Sequence, residues 1–217
     1  MKRENYFTPE TIHEKARQMA DALSSLCARH ADIVLRSDRA ALLVLDMQEY
    51  FLRPDSHAFI PSAAAILPNI HMLVDSFHSR GLPILFTRHL NSEADAGMMS
   101  RWWRDLIRSD SALSGLAVSF DASRGTVLAK TQYDAFHHTS LEEVLRGRGV
   151  EQVIVTGVMT HLCCESTARS AFMCGFEVFF CIDGTATYTE ELHRASLLNL
   201  AHGFAIPVLC QEIVEKL

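Results

Sequence analysis

Short apolar, β-rich runs alternate with stretches of three-to-four periodicity along most of this chain. The runs cover residues 40–45, 83–87, 126–129, 153–156, 178–182 and 206–209, and helical patterns cover about 61–80, 99–108, 140–147, 163–174 and 190–202. Several runs are apolar at consecutive positions, as in Ala-Ala-Leu-Leu-Val-Leu and Val-Ile-Val, which is the signature of strands buried on both faces. Gly81, Gly149, Gly175 and Gly203 each stand between a helical pattern and the next strand, where a helix-ending glycine belongs. Strand, helix, strand repeated in this order requires crossover connections, so the pattern predicts an α/β fold with a mostly parallel sheet and helices on both faces. Ahead of it, Ile12, Ala16, Met19, Ala20, Leu23, Leu26 and Cys27 form one apolar stripe. Thr8 is read as its cap with Pro9 as its first helical residue, and Thr11 to Glu14 offers a second capping-box option. That stripe has to cover either the chain's own core or a neighbouring subunit. The division expected is therefore a helical extension over 1–36 and one catalytic domain over 37–217.

Composition narrows the class. The chain has 217 residues, 48% of them hydrophobic, with 20 basic and 26 acidic side chains for a formal charge of −6. A chain of that length can bury a full core without staples. Mild acidity and the absence of any Lys/Arg-rich block argue against nucleic acid as a partner. The start, Met1 to Tyr6, carries charge without a following apolar stretch, and no run approaches the roughly 20 residues that span a bilayer. A cytoplasmic protein with no membrane partner is expected. Six cysteines, at 27, 163, 164, 174, 181 and 210, are too sparse for a disulfide scaffold and contain no CxxC pair.

In an open parallel sheet, ligands bind beyond the carboxyl ends of the strands. Asp46 ends the first run and Lys130 ends the 126–129 run. The 153–156 run leads through Gly157-Val-Met-Thr160-His-Leu to Cys163-Cys164. Each of these has an ordinary alternative, as a turn or cap, a solvated cation, or a buried thiol. Their convergence on one sheet edge favours chemistry. On a helix starting near 162, Cys164 shares the core-facing stripe with Ala168, Ala171 and Phe172, whereas Cys163 lies on another face. A helix N-terminus and a nearby Lys130 would favour a Cys163 thiolate. Asp46 could take the thiol proton, and backbone N–H groups around 159–163 could hold an oxyanion.

These segments resemble the isochorismatase-like cysteine hydrolase superfamily. The resemblance runs from Leu-Val-Leu-Asp46-Met-Gln-Glu-Tyr-Phe51 through Lys130-Thr-Gln-Tyr133-Asp-Ala-Phe136 to Gly157-Val-Met-Thr160-His-Leu-Cys163-Cys-Glu-Ser-Thr167. It implies an Asp46–Lys130–Cys163 triad, an oxyanion hole from the backbone of Met159 and Cys163, and a cis peptide between Val158 and Met159. It also implies a three-layer α/β/α sandwich with a six-stranded sheet, and a homodimer or homotetramer. Around the expected pocket mouth stand Phe51, His89, Tyr133, Phe136, His161 and Leu162, together with Tyr50, Trp102, Trp103 and His137.

Nicotinamidases of that superfamily usually carry a metal-binding Asp-x-His just after the second strand. Here that place reads Thr87-Arg88-His89-Leu90-Asn91, and Asp55-Ser56-His57 lies in another segment, so a metal-dependent nicotinamidase is disfavoured and neither a metal nor a cofactor is expected. The resemblance implies cleavage of a C–N bond in a small amide, ureido or carbamoyl compound through a Cys163 thioester. Two alternatives remain: isochorismatase chemistry, in which an Asp protonates a vinyl ether without a thiol, and a catalytically idle binding protein.

Overall fold

A computed structural model describes residues 2–217. Six strands form one sheet: β1 (Ala40–Leu45), β2 (Ile84–His89), β3 (Thr126–Lys130), β4 (Gln152–Val158), β5 (Glu177–Ala186) and β6 (Ile206–Val208). All neighbours are parallel, in the order β3-β2-β1-β4-β5-β6. Among the described residues eight α-helices accompany them: α1 (Ile12–Cys27), α2 (Glu49–Leu52), α3 (Ala63–Ser79), α4 (Met99–Trp102), α5 (Leu141–Gly147), α6 (Glu165–Met173), α7 (Glu190–Gly203) and α8 (Cys210–Lys216). α3 packs with α8 and α6 with α7, which makes the three-layer sandwich. Every residue of β1 and β4 is buried, whereas β3, at the sheet edge, alternates and leaves Val127 partly exposed. That contrast explains the unbroken apolar runs of the central strands. Strand order reverses its direction of growth between β1 and β4, so a crevice opens beyond their carboxyl ends.

The apolar stripe of α1 is spent inside the chain itself. Ile12, Ala16, Met19 and Leu23 are buried, and the helix packs on α7, β5 and β6. Tyr6 and Phe7 ahead of it join the same core. The helix begins at Ile12 instead of Pro9, because the Thr8 carbonyl first closes a turn onto the N–H groups of Thr11 and Ile12.

Two further helix boundaries differ from the sequence pattern. The 99–108 helix shrinks to α4, after which Trp103 turns extended and the Asn91 N–H bonds to the Ile107 carbonyl. The 163–174 helix begins at Glu165, preceded by a π-turn over Thr160–Cys164. Phe172, expected in its buried stripe, is 49% exposed. The chain also gains α8, whose first N–H, from Cys210, is accepted by Asp183 Oδ1 at 2.8 Å. Gly81, Gly149 and Gly175 take the left-handed φ of a helix-ending residue, whereas Gly203 remains helical. Among the described residues, no helix is long and apolar enough to cross a membrane.

Candidate active site

Asp46 follows β1 with φ +52°, a left-handed conformation that Asp tolerates better than most residues. Its carboxylate is fully buried, and Thr87 Oγ1 from β2 donates to Oδ1 at 2.7 Å. Lys130 leaves the end of β3, two strands away, and its Nζ reaches Asp46 Oδ2 at 2.7 Å with both side chains excluded from solvent. The same ammonium donates to the Gln132 carbonyl at 2.9 Å and to Cys163 Sγ at 3.4 Å. It also stands 3.5 Å from His89 Nδ1. The His89 ring is held from its other side, where Nε2 meets Asn91 Oδ1 at 2.7 Å, and Asn91 in turn donates to the Thr131 carbonyl at 2.9 Å. With Nε2–H given to an amide oxygen, Nδ1 is bare and faces the ammonium. Burial first and the Lys130 charge second keep the His89 pKa below its ordinary value, consistent with a neutral ring.

The turn that carries Cys163 depends on Gly157. Its φ is +110°, and a Cβ there would lie 2.0 Å from the Leu45 carbonyl oxygen, so only glycine allows β4 to press its backbone against the end of β1. The next peptide, Val158–Met159, is cis. Within the π-turn, the Met159 carbonyl accepts the N–H groups of Leu162 and Cys164 at 3.1 and 3.2 Å. Cys163 then faces Lys130, and Met159 and Cys163 both line a cavity. Cys164 is fully buried, with its thiol aimed at the Thr156 carbonyl, 3.9 Å away.

Electrostatics revise one expectation. Cys163 lies in the π-turn that runs into α6, yet it is not poised there as a thiolate. Burial pushes its thiol up to about 12; the Lys130 charge opposes this and the Asp46 carboxylate adds to it. The resting group is therefore a thiol beside a carboxylate. Burial alone would lower the Lys130 pKa, but the Asp46 and Cys163 charges outweigh it and leave it raised. The ammonium stays charged.

The cavity opens toward solvent. Phe51, His89, Tyr133 and Leu162 line it, as do Tyr50 and Trp103. Trp103 Nε1–H donates to Tyr133 Oη at 2.6 Å, fixing two aromatic walls against each other. Phe136 and His161 are not among the lining residues. Phe136 turns away to pack on Phe176, with ring centroids 5.9 Å apart, and His161 Nδ1 is engaged by Thr187 Oγ1 at 2.5 Å. Trp102 is 72% exposed and His137 is also exposed. Sequence reasoning missed His57, Asn91, Asp105, Leu106, Ile107 and Tyr188, all of which line the cavity. Asn91 could have been found from its place two residues after His89 at a strand end. Among the described residues, the lining contains no Lys or Arg side chain.

The ligand atoms of Asp46, His89 and Cys163 lie within 4.8 Å of one another, close enough to suggest a metal site. The donor set does not suit one. The Lys130 ammonium already contacts all three side chains, and a divalent cation added there would face that charge across a dry interior. The triad is organised around the ammonium.

The family model of the isochorismatase domain matches residues 40–212. Nicotinamidase 3 of Arabidopsis thaliana is 42% identical over 183 residues, covering 82% of this chain and 88% of the relative. Enterobactin synthase component B of Escherichia coli is 31% identical over 186 residues, covering 84% of this chain and 65% of that longer protein. Among solved structures, a cysteine hydrolase from Pseudomonas syringae pv. phaseolicola 1448A shares the fold with a TM-score of 0.81 at 24% identity, over 84% of this chain and 93% of that one. A pyrazinamidase of Pyrococcus horikoshii in complex with zinc superposes with a TM-score of 0.71 at 26% identity, over 79% and 99%.

Proposed function

The chain belongs to the isochorismatase family of hydrolases, and from that premise we propose that it cleaves the C–N bond of a small uncharged amide through a thioester on Cys163. The observation that carries this reading is the Lys130 ammonium held 2.7 Å from Asp46 and 3.4 Å from Cys163. As Sγ attacks the carbonyl carbon, its proton passes to Asp46 and Lys130 stabilises the sulfur charge. The N–H groups of Met159 and Cys163 receive the oxyanion. Asp46 then gives the proton to the departing nitrogen, and the C–N bond breaks to leave an acyl thioester. Water attacks the thioester, Asp46 accepts one of its protons, and this proton returns to sulfur as the carboxylic acid leaves. Each proton taken up by the carboxylate is released again within the cycle.

Substrate character follows from the walls. Tyr50, Phe51, Trp103 and Tyr133 suit a flat ring, and a lining without Lys or Arg suits a neutral one. A heteroaromatic carboxamide, the class named by the nicotinamidase relative, fits both features. Isochorismate, a dicarboxylate, would enter a cavity with no lining cation to pair with it. The experiment is a panel of nicotinamide, pyrazinamide, a carbamoyl amine and isochorismate. It reads ammonia release, vinyl ether loss and the intact mass of trapped protein. Ammonia release from the heteroaromatic amides, with an acyl mass on the Cys163 peptide, is expected. Turnover of isochorismate alone would replace this reading, and inertness toward the whole panel would favour a binding protein.

A further inference from the structure

Residues 2–8 lie ahead of the span matched by the family model, yet they tie together segments that face the nucleophile. Tyr6 is buried, and its hydroxyl oxygen accepts the Thr187 N–H at 3.0 Å. The same hydroxyl stands 3.0 Å from His193 Nδ1, and that nitrogen stands 3.1 Å from Thr160 Oγ1. Thr160 opens the π-turn that carries Cys163 and directly follows Met159. The next residue of the turn, His161, is bonded to the Thr187 side chain at 2.5 Å. Two consecutive residues of the turn are thus tethered to a cluster centred on Tyr6.

The surroundings keep that cluster in place. The Glu4 N–H bonds to the Tyr188 carbonyl at 2.7 Å, and the Glu4 carboxylate accepts the Glu190 N–H at 3.0 Å. The Phe7 N–H bonds to Ser62 Oγ at 3.0 Å. Arg3 lies over the Tyr188 ring, 5.0 Å from its centroid, and bonds to the His57 carbonyl; both of these residues line the cavity. His193 is wholly buried, and burial drives its pKa down to about 3, so its ring is neutral and can accept a hydroxyl proton. Its Nε2 completes no hydrogen bond, with the Ile182 carbonyl nearby.

We infer that Tyr6 and His193 are positioning residues: they hold the Thr160 hydroxyl and through it set the geometry of the turn that presents Met159 and Cys163. The N-terminal arm is thereby a working part of the catalytic centre. Neither residue is among those lining the cavity, so the effect passes through the loop and not through substrate. A displacement of the turn by a fraction of an ångström would alter the attack geometry while leaving the aromatic walls intact.

The kinetic part of the test rests on the amide reading; the labelling part does not. Tyr6→Phe keeps the ring and removes the hydroxyl, and Thr160→Val keeps the shape and removes its partner. Each is expected to lower kcat by about tenfold or more with KM within about twofold of the parent, and the double variant is expected to fall no further than the worse single one. Thr160→Ser retains a hydroxyl and is expected to restore kcat. Unchanged kcat in the single variants, or losses that multiply in the double one, would overturn the inference. Independently of any substrate, the alkylation rates of Cys163 and Cys164 by iodoacetamide are compared by mass spectrometry in the parent and in Tyr6→Phe. Slower labelling of Cys163 with Cys164 unchanged supports positioning. Faster labelling of both marks simple loosening of the fold and overturns it, as does no change in either. If the parent hydrolyses no amide, the functional proposal fails while the labelling result still decides this one.

Discussion

Asp46, Lys130 and Cys163 come from the ends of parallel strands or the turn just beyond one, whereas Met99, Trp103, Asp105, Leu106 and Ile107 reach the cavity that Cys163 lines from the stretch between β2 and β3. The first group is buried and cross-braced: Lys130 and Asp46 are wholly excluded from solvent, and Thr87, Gln132 and His89 hold them from three sides. The second group is held by a few bonds, such as Trp103 to Tyr133 and Asn91 to Ile107. A sheet edge fixes reacting groups to within the tolerance that chemistry needs, and a loop wall shapes what enters. On the proposed reaction, damage to the edge should appear in kcat and damage to the wall in KM.

The sharpest test of that division is Cys163→Ala beside Cys164→Ala. Loss of the nucleophile is expected to lower amide turnover by at least about 10⁴-fold, while loss of its neighbour leaves kcat within about threefold, as steady-state kinetics would show. Comparable losses in both variants would erase the distinction. Next, Lys130→Met leaves Asp46 as an uncompensated buried charge, so denaturant titration should show a stability loss of about 3–5 kcal/mol at pH 7. A fully folded Lys130→Met enzyme with parental kcat would mean that the ammonium is dispensable. On the wall, Trp103→Leu removes an aromatic face and the indole donor to Tyr133. KM is expected to rise about tenfold, equivalent to about 1.4 kcal/mol, with kcat little changed. A fall in kcat at constant KM would put Trp103 on the catalytic side of the comparison.

A last test concerns the buried His193, whose neighbours include Tyr6, Glu190 and Arg194. Its folded pKa of about 3 lies below the ordinary 6.5, so the unfolded chain binds the extra proton between those values. This contribution to stability is complete above pH 6.5 and is lost as pH falls toward 3, at about 1.4 kcal/mol per pH unit within the window. Urea titrations at pH 7 and pH 4.5 should show a shallower pH dependence for His193→Gln than for the parent. Equal slopes would mean that the ring charges in the folded protein.

The same comparison explains what could be read in advance. The six strands were legible because β1, β4 and β5 carry unbroken apolar runs, and Asp46, Lys130 and the 157–163 turn follow strands directly in sequence. The separation of Cys163 from Cys164 was visible in helical phase even though the local turn is π and α6 starts two residues later. The wall was less legible, because Asp105, Leu106 and Ile107 have no periodicity and owe their place to a tertiary bond at Asn91. Phe136 and His161 were misjudged as pocket residues for a related reason. Adjacency to a reactive segment does not set a side chain's direction, and both found partners, Phe176 and Thr187, on the far side. The Cys163 protonation state could not be read from the sequence because burial, which dominates it, is a property of the assembled interior. The role of Tyr6 was equally hidden, since its partners lie at positions 187 and 193.

One consequence of the Lys130 arrangement concerns how little the site polarises its surroundings. Before attack the trio holds one carboxylate, one ammonium and a neutral thiol; after the proton moves it holds a neutral acid, the same ammonium and a thiolate. The sum is zero in both states. Nucleophile activation on the proposed route is thus an electroneutral rearrangement over a few ångströms, which neither draws counterions from bulk solution nor asks the interior to hold a lone charge. Such a centre needs no solvent to balance its activation step, which should be indifferent to ionic strength.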